Sequence, residues 1–377
     1  ASYTQIKYCI KDKMDDFNFE DFEQYLIQGE PDKKKKTYAW QTAIGLQAVD
    51  NLKPSAYLIE TAKKNIEGEI SIKEAQNLIK TYYETKSSKD EDDEAKEEAD
   101  IVSSHITELL SEDSFSFTPL EFLNIHKRLF TGIFKFAGKI RDVNITKKEW
   151  VLQGDTVYYS GYDLIQKTIE YDFEQEKKFN YIGLSQEEII KHLSRFTANL
   201  WQIHPFREGN TRTTAVFIIK YLRSLGYDVS NDIFAKHSWY FRNALVRANY
   251  TNIQKQIYMD TSFLENFFKN LLLNEKHELK NRYLVINSEE ILKKYEQKVA
   301  INDIITGDKV AIKQKSSDII LEYLKNNDSI NNSTAQKITG LSPAGVRKIF
   351  AKLVEENVIL PSGANKNRIY KLNKMEK

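Results

Sequence analysis

Apolar residues recur at three- and four-residue spacing through most of the chain, and each such stretch predicts a helix with one buried face. Trp40, Ile44, Leu46 and Val49 define the first, from Thr37, and Pro54 marks a new start carrying Tyr57, Ile59, Ala62 and Ile66. After Ser71 a third face follows with Ala75, Leu78, Ile79 and Tyr82, and a later one carries Phe122, Ile125, Leu129 and Phe130. Ile189, Ile190, Leu193, Phe196 and Leu200 predict an amphipathic helix ending near His204-Pro205. The next starts around Thr211 and stops at Gly226, and helices continue from Ser238 to Ala248 and from Thr261 to Leu273. Arg141 to Lys147 alternates in period two, followed by Val151-Leu152 and Val157-Tyr158-Tyr159 around Gly154-Asp155, which predicts a small β-hairpin. The basic run Lys33 to Lys36 reads as a solvated linker, and the acidic stretch Lys86 to Asp100 as a solvated loop or helix face.

From about Ser316 the texture changes. Helices are expected over Asp318 to Asn327, Ser333 to Ile338 and Pro343 to Glu355, then strands over Val358 to Leu360 and Arg368 to Leu372. Three helices and a hairpin are the pattern of a winged helix-turn-helix. The chain therefore divides into an N-terminal helical segment (1–110), a central helical core (111–274), a helical linker (275–315, with Ser288 to Val299 helical) and the C-terminal module (316–377).

Composition sharpens this picture. In 377 residues there are 14 Gly and 6 Pro, about half the usual share of turn residues, which favours a mainly α fold. Charge nearly cancels at +1, so no global field announces a nucleic-acid or membrane partner. The single cysteine, Cys9, excludes a disulfide framework and a cysteine-rich zinc site. A charged N-terminus and the lack of an apolar run near 18 residues lead us to expect a soluble, cytoplasmic protein without a membrane partner.

Candidate chemistry concentrates in His204-Pro205-Phe206-Arg207-Glu208-Gly209-Asn210-Thr211-Arg212. A helix N-terminus after Gly209 offers free N–H groups and a positive dipole end, an anion cradle. Arg212 can add a bidentate phosphate contact, and Glu208 is a hard oxygen ligand suited to Mg²⁺ on phosphates. His204 titrates near neutrality, as a general base requires. Together they suit phosphoryl or nucleotidyl transfer, although the loop also reads as a helix–loop–helix corner with a solvated histidine.

The string resembles the Fic-family signature H-x-F-x-[DE]-G-N-x-R at His204, Phe206, Glu208, Gly209, Asn210 and Arg212. The likeness extends over about residues 37 to 274, with Arg141 to Lys147 resembling the family's flap strand. It implies a Fic-type helical domain with a β-hairpin flap that moves AMP from ATP to a Ser, Thr or Tyr hydroxyl of a target protein, with Mg²⁺. By position, His204 would deprotonate the hydroxyl, Phe206 anchor the loop, Glu208 hold Mg²⁺, and Gly209, Asn210, Thr211 and Arg212 bind phosphate. Lys147, Val151 and Leu152 in the flap would align the target by strand addition. Two positions depart from the family: Thr211 replaces a glycine, and Ala215 replaces a second arginine that grips the outer phosphate. Ile66-Glu67-Gly68 resembles the end of the family's inhibitory element, with Lys63 in place of its Ser or Thr, which implies autoinhibition by Glu67. Removal of AMP from modified targets is a variant of the same reading.

The C-terminal 64 residues carry eleven Lys or Arg against six Asp or Glu, and a winged helix there could place Arg347 and Lys348 on DNA. The alternative function is a DNA-binding regulator whose Fic domain binds nucleotide but catalyses weakly, a reading that Ala215 favours.

Overall fold

The computed structural model describes residues 19–86, 91–287, 316–356, 358–363 and 368–373. Cys9 and the expected helix over 288–299 fall outside these residues. The chain separates into two compact units, 1–288 and 289–377.

The first unit is helical: α1 (Glu20–Gln28), α2 (Pro31–Leu46), α3 (Ala56–Glu67), α4 (Ile72–Glu84), α5 (Glu91–Ser111), α6 (Pro119–Phe130), α7 (Ile165–Lys178), α8 (Gln186–Ile203), α9 (Asn210–Ser224), α10 (Ile233–Ala248) and α11 (Ser262–Leu273). None of the described helices is long and apolar enough to cross a membrane.

The basic run is not a linker. Pro31 opens α2, pre-set for the first helical position, and Lys33 to Lys36 span its first and second turns. Their charges are placed: Lys36 pairs with Asp32 one turn back at 2.9 Å, and Lys33 reaches Glu67 at 2.7 Å. From Ala39 onward α2 is buried on nearly every side, against α5 and α10. The acidic stretch forms the first turns of the 21-residue α5, the helix-face alternative of its reading, except that its last residue turns inward. Asp100 in that helix is fully buried. It accepts bonds from the Ser55 N–H at 2.8 Å, the Ser55 hydroxyl at 2.5 Å and the Tyr83 hydroxyl at 2.6 Å. Those three donors offset the cost of burying a carboxyl.

The expected hairpin between residues 141 and 161 is absent. That segment carries no strand, only a 3-10 turn at Trp150–Leu152. Arg141 explains why. Its buried guanidinium donates to the carbonyls of Val143 (2.7 Å) and Ser160 (2.5 Å), acceptors that a β-ladder would otherwise satisfy, and ties the segment to the His204 carbonyl (2.7 Å). Val151 and Leu152, expected in a flap strand, are wholly buried, and the Val151 carbonyl already accepts from the Ile286 N–H at 2.9 Å.

The second unit packs helical residues 316–326, α12 (Asn332–Thr339) and α13 (Pro343–Glu355) against a three-stranded antiparallel sheet ordered β1 (Ile330–Asn331), β3 (Ile369–Leu372), β2 (Ile359–Ser362). The two later strands follow the sequence pattern; β1, two residues long, is too short to show a period. Ile320, Val346, Phe350 and Ile359 are central to its core, and Tyr370 stacks on Phe350 with ring centroids 4.0 Å apart. Ser342 caps α13 by accepting the Gly345 N–H at 3.2 Å.

Candidate active site

Helix α8 delivers His204. Ser185 and Glu188 form a reciprocal capping box at its start, and its buried face carries Leu193, Phe196, Leu200 and Trp201 inward. The helix ends with His204 in the left-handed region, φ +49°. This turn directs the imidazole Nδ1 to the Trp201 carbonyl at 3.0 Å. A carbonyl can only accept, so Nδ1 carries the proton and Nε2 is left with its lone pair. The ring lies under Tyr159, with centroids 3.9 Å apart, and is almost closed to solvent. Burial holds its pKa well below the usual histidine range, with the Lys147 charge acting in the same direction.

The loop after His204 is tied by its own residues. Asn210 bonds Phe206 twice, accepting its N–H at 2.9 Å and donating to its carbonyl at 2.8 Å. The Phe206 ring is buried and stacks on His126 at 3.6 Å. His126 itself accepts the Gly138 N–H at Nδ1 (2.8 Å) and donates from Nε2 to the Glu208 carbonyl (3.0 Å). That pairing requires a neutral ring, and burial pushes its pKa down to about 4. Gly209 sits at φ +79°, and a Cβ there would lie 2.3 Å from the Phe130 ring. Only glycine makes the turn without displacing that ring.

Helix α9 starts at Asn210, and its first backbone bond runs from the Thr213 N–H to the Gly209 carbonyl at 3.1 Å. The amides of Asn210, Thr211 and Arg212 therefore have no intrahelical acceptor. The Thr211 hydroxyl accepts from Trp201 Nε1 at 2.9 Å, locking α9 to α8. At the rim, Glu208 is half exposed and pairs with Lys147 at 2.9 Å. Ala215 is fully buried.

Arg212 is placed otherwise than a free phosphate ligand. Its side chain is 1% exposed. It donates to Gln47 at 3.0 Å and to Glu98 at 2.6 Å, and lies over the Phe130 ring at 4.8 Å. Its Nε is 2.9 Å from Asp50 Oδ2, close enough for charge attraction but not aligned as a hydrogen bond. Two carboxylates from outside the loop thus neutralise it. Glu67 bonds to Lys33 at the surface, and that bond holds its carboxyl below the usual range. The structure brings Lys147, His204, Phe206, Glu208, Gly209, Asn210 and Thr211 together, and no hydrogen bond or ion pair of Glu67 reaches them. Sequence reading gave Arg141 and Tyr159 to a hairpin, and it assigned no place at the site to His126 or Glu98. Glu98 sat within the acidic run, and no local spacing distinguished it from its neighbours.

The sequence model of the Fic/DOC family matches residues 116–222, from the loop before α6 through most of α9. This segment is a Fic/DOC family domain. The chain is 29% identical over 151 residues to "Protein adenylyltransferase VbhT" of Bartonella schoenbuchensis, covering 37% of this chain and 30% of that protein. It is 29% identical over 118 residues to "Probable protein adenylyltransferase Fic" of Salmonella typhimurium, covering 30% of this chain and 54% of that one. The matches thus span between about a third and a half of these curated relatives. A crystal structure of a Fic family protein from Desulfovibrio desulfuricans G20 aligns over 99% of this chain and 95% of that one, at 13% identity and a TM-score of 0.40. The Fic domain of this chain is thus related to those of protein adenylyltransferases, and the mainly helical architecture surrounds it.

Proposed function

We propose that the chain is a protein adenylyltransferase moving AMP from ATP to a Ser, Thr or Tyr hydroxyl of a target protein. The observation that carries this reading is the His204 tautomer: with Nδ1 committed to the Trp201 carbonyl, Nε2 keeps its lone pair, six residues before the N-terminus of α9. The depressed pKa keeps that nitrogen unprotonated at neutral pH. In the proposed step Nε2 takes the hydroxyl proton, the hydroxyl oxygen bonds to the α-phosphorus of ATP, and pyrophosphate leaves with the electron pair of the broken P–O bond. The amides of Asn210 to Arg212 hold phosphate oxygens, while Asn210 and His126 keep the loop in shape.

The donor set fits Mg²⁺, which keeps several waters and takes one or two carboxylates together with phosphate oxygens. Glu208, at the rim of the cradle, would hold it, and the ion supplies neutralisation of phosphate charge. Among the described residues no cluster of three or more His, Cys, Asp or Glu suggests another centre. Labelled ATP with Mg²⁺ tests the reading through label on the protein or on an added target. His204→Ala should lower labelling by about 10²–10⁴-fold in a protein that still folds, with some loss of melting temperature because the ring is buried; labelling at the parent rate overturns the assignment.

The finer part of the reading, obstruction of the outer-phosphate site by Glu67, rests on the resemblance at residues 66–68. Glu67→Gly should raise labelling if it holds, and leave labelling unchanged if the carboxylate only serves Lys33. A second reading, DNA contact by the C-terminal unit as a winged helix, is favoured by Arg347 and Lys348, which are exposed on α13 and form no ion pair among the described residues. Replacing both with alanine should weaken and flatten salt-dependent binding to duplex DNA.

A further inference from the structure

Beside the histidine lies a cleft of about 300 Å³ lined by Tyr158, Tyr159, Ser160, Thr168, Asp172, Asn199, Gln202 and Ile203. Asp172 is its one carboxylate, and among the described residues it has neither a hydrogen bond nor an ion pair. Burial alone pushes its carboxyl up to about 6, so no cation stands near enough to compensate. A partly buried acid with no protein partner, set in a concavity, is the kind of group that concentrates at binding sites. The Thr168 hydroxyl is one helical turn away, and Asn199 and Gln202 supply amides from α8. The wall is aromatic: Tyr158 is largely exposed, and Tyr159 is the same ring that covers His204.

We propose that this cleft binds the guanidinium of an arginine side chain on the target protein, near the hydroxyl offered to His204. A guanidinium brings five donors in a planar fork, matching one carboxylate with surrounding amide and hydroxyl oxygens, and its face packs on tyrosine. An ammonium would supply charge without the planar stacking. The inference rests on the adenylyltransferase reading for the occupant's source; the cleft's affinity for a guanidinium does not depend on catalysis.

The test uses the full chain and Nα-acetylarginine amide as probe, with the dissociation constant read by calorimetry at pH 7.5. The parent should bind the probe, Asp172→Asn at least tenfold more weakly, and Nα-acetylcitrulline amide, isosteric but uncharged, should not bind. Nα-acetyllysine amide, with its side-chain ammonium free, should bind several-fold more weakly than the arginine probe. Thr168→Lys offers a second variant, because it places a tethered ammonium one turn from Asp172 and should block the probe. No binding by the parent, equal binding by Asp172→Asn or Thr168→Lys when folded, or equal affinity for citrulline or lysine overturns the proposal. Labelling by ATP is measured in parallel: its absence with probe binding intact removes the enzyme reading alone.

Discussion

The loop 204–212 and the segment 141–161 are both irregular backbone at the same site, yet they differ in what sets their shape. In the loop, Asn210 bonds Phe206 four residues back and Thr211 bonds Trp201, short ties that set its turn and are added to the long ones from His126 and Arg212. The segment is held from far away. Arg141 ties it to the loop through the His204 carbonyl, and Arg242 on α10 grips Glu149 at 2.5 and 3.1 Å. Glu149 in turn accepts from the Tyr159 hydroxyl at 3.3 Å, which sets the ring over His204. Buried guanidinium groups thus take the carbonyls and carboxylates of backbone that no ladder pairs. The difference lies in the consequence of failure, since a buried charge without its partner is far more costly than a lost neutral bond.

The largest effect should therefore come from the segment. Arg242→Met leaves Glu149, 1% exposed at its side chain, as a buried charge without its guanidinium. It should cost about 3–5 kcal/mol by chemical denaturation. Adding Glu149→Leu should recover a large part of that loss, because the uncompensated charge goes with it. A single variant as stable as the parent would show the segment to be held by something other than this pair.

The same contrast explains what could be read from the sequence. The loop was legible because its chemistry is contiguous: nine residues contain the turn glycine, the bonding asparagine and the base, between two strongly periodic helices. α6, α8, α9 and α11 were legible from their amphipathic faces. The segment was not, because period-two alternation from Arg141 to Lys147 looks like a strand until Arg141 is known to be buried among carbonyls more than sixty residues away in sequence. Lys33 to Lys36 misled for a related reason. Composition cannot distinguish a solvated lysine run from one whose helix continues into a buried face, and only Pro31 marked the start. Arg212 matched its motif, but its partners Gln47, Asp50 and Glu98 come from two other parts of the chain.

His126 belongs to neither region alone, for it bonds Gly138 on one side and the Glu208 carbonyl on the other. Its pH dependence tests whether the loop depends on that link. The folded pKa of about 4 lies below the ordinary 6.5, so the unfolded chain binds a proton that the native ring refuses. The stabilisation is complete above pH 6.5 and is lost as pH falls toward 4, up to about 3 kcal/mol. His105 and His204 shift in the same direction, so the share of His126 is read by difference. His126→Gln, a neutral side chain at every pH, should flatten the dependence of the urea midpoint between pH 7 and 4.5. An equally steep dependence in the variant would assign the titration to the other histidines.

The smallest effect tests whether the loop is a lock of its own. Gly209→Ala forces a side chain into φ +79° and sets its Cβ 2.3 Å from Phe130, a ring already packed on His126 at 4.8 Å and beneath Arg212. Crowding of this kind should cost about 1–3 kcal/mol, less than the broken ion pair, because the ring can shift while a stranded charge cannot. Phe130→Leu in the same chain makes room for the methyl, so part of the loss from Gly209→Ala should disappear in that background. What remains is the backbone term, roughly 1 kcal/mol for a left-handed alanine. Melting temperature and labelling by ATP should fall together in Gly209→Ala, since the displaced turn carries the first amides of α9. Loss of labelling with an unchanged melting temperature would mean that the turn serves the nucleotide without bracing the fold, and the loop would then depend on Arg141 as much as the segment does.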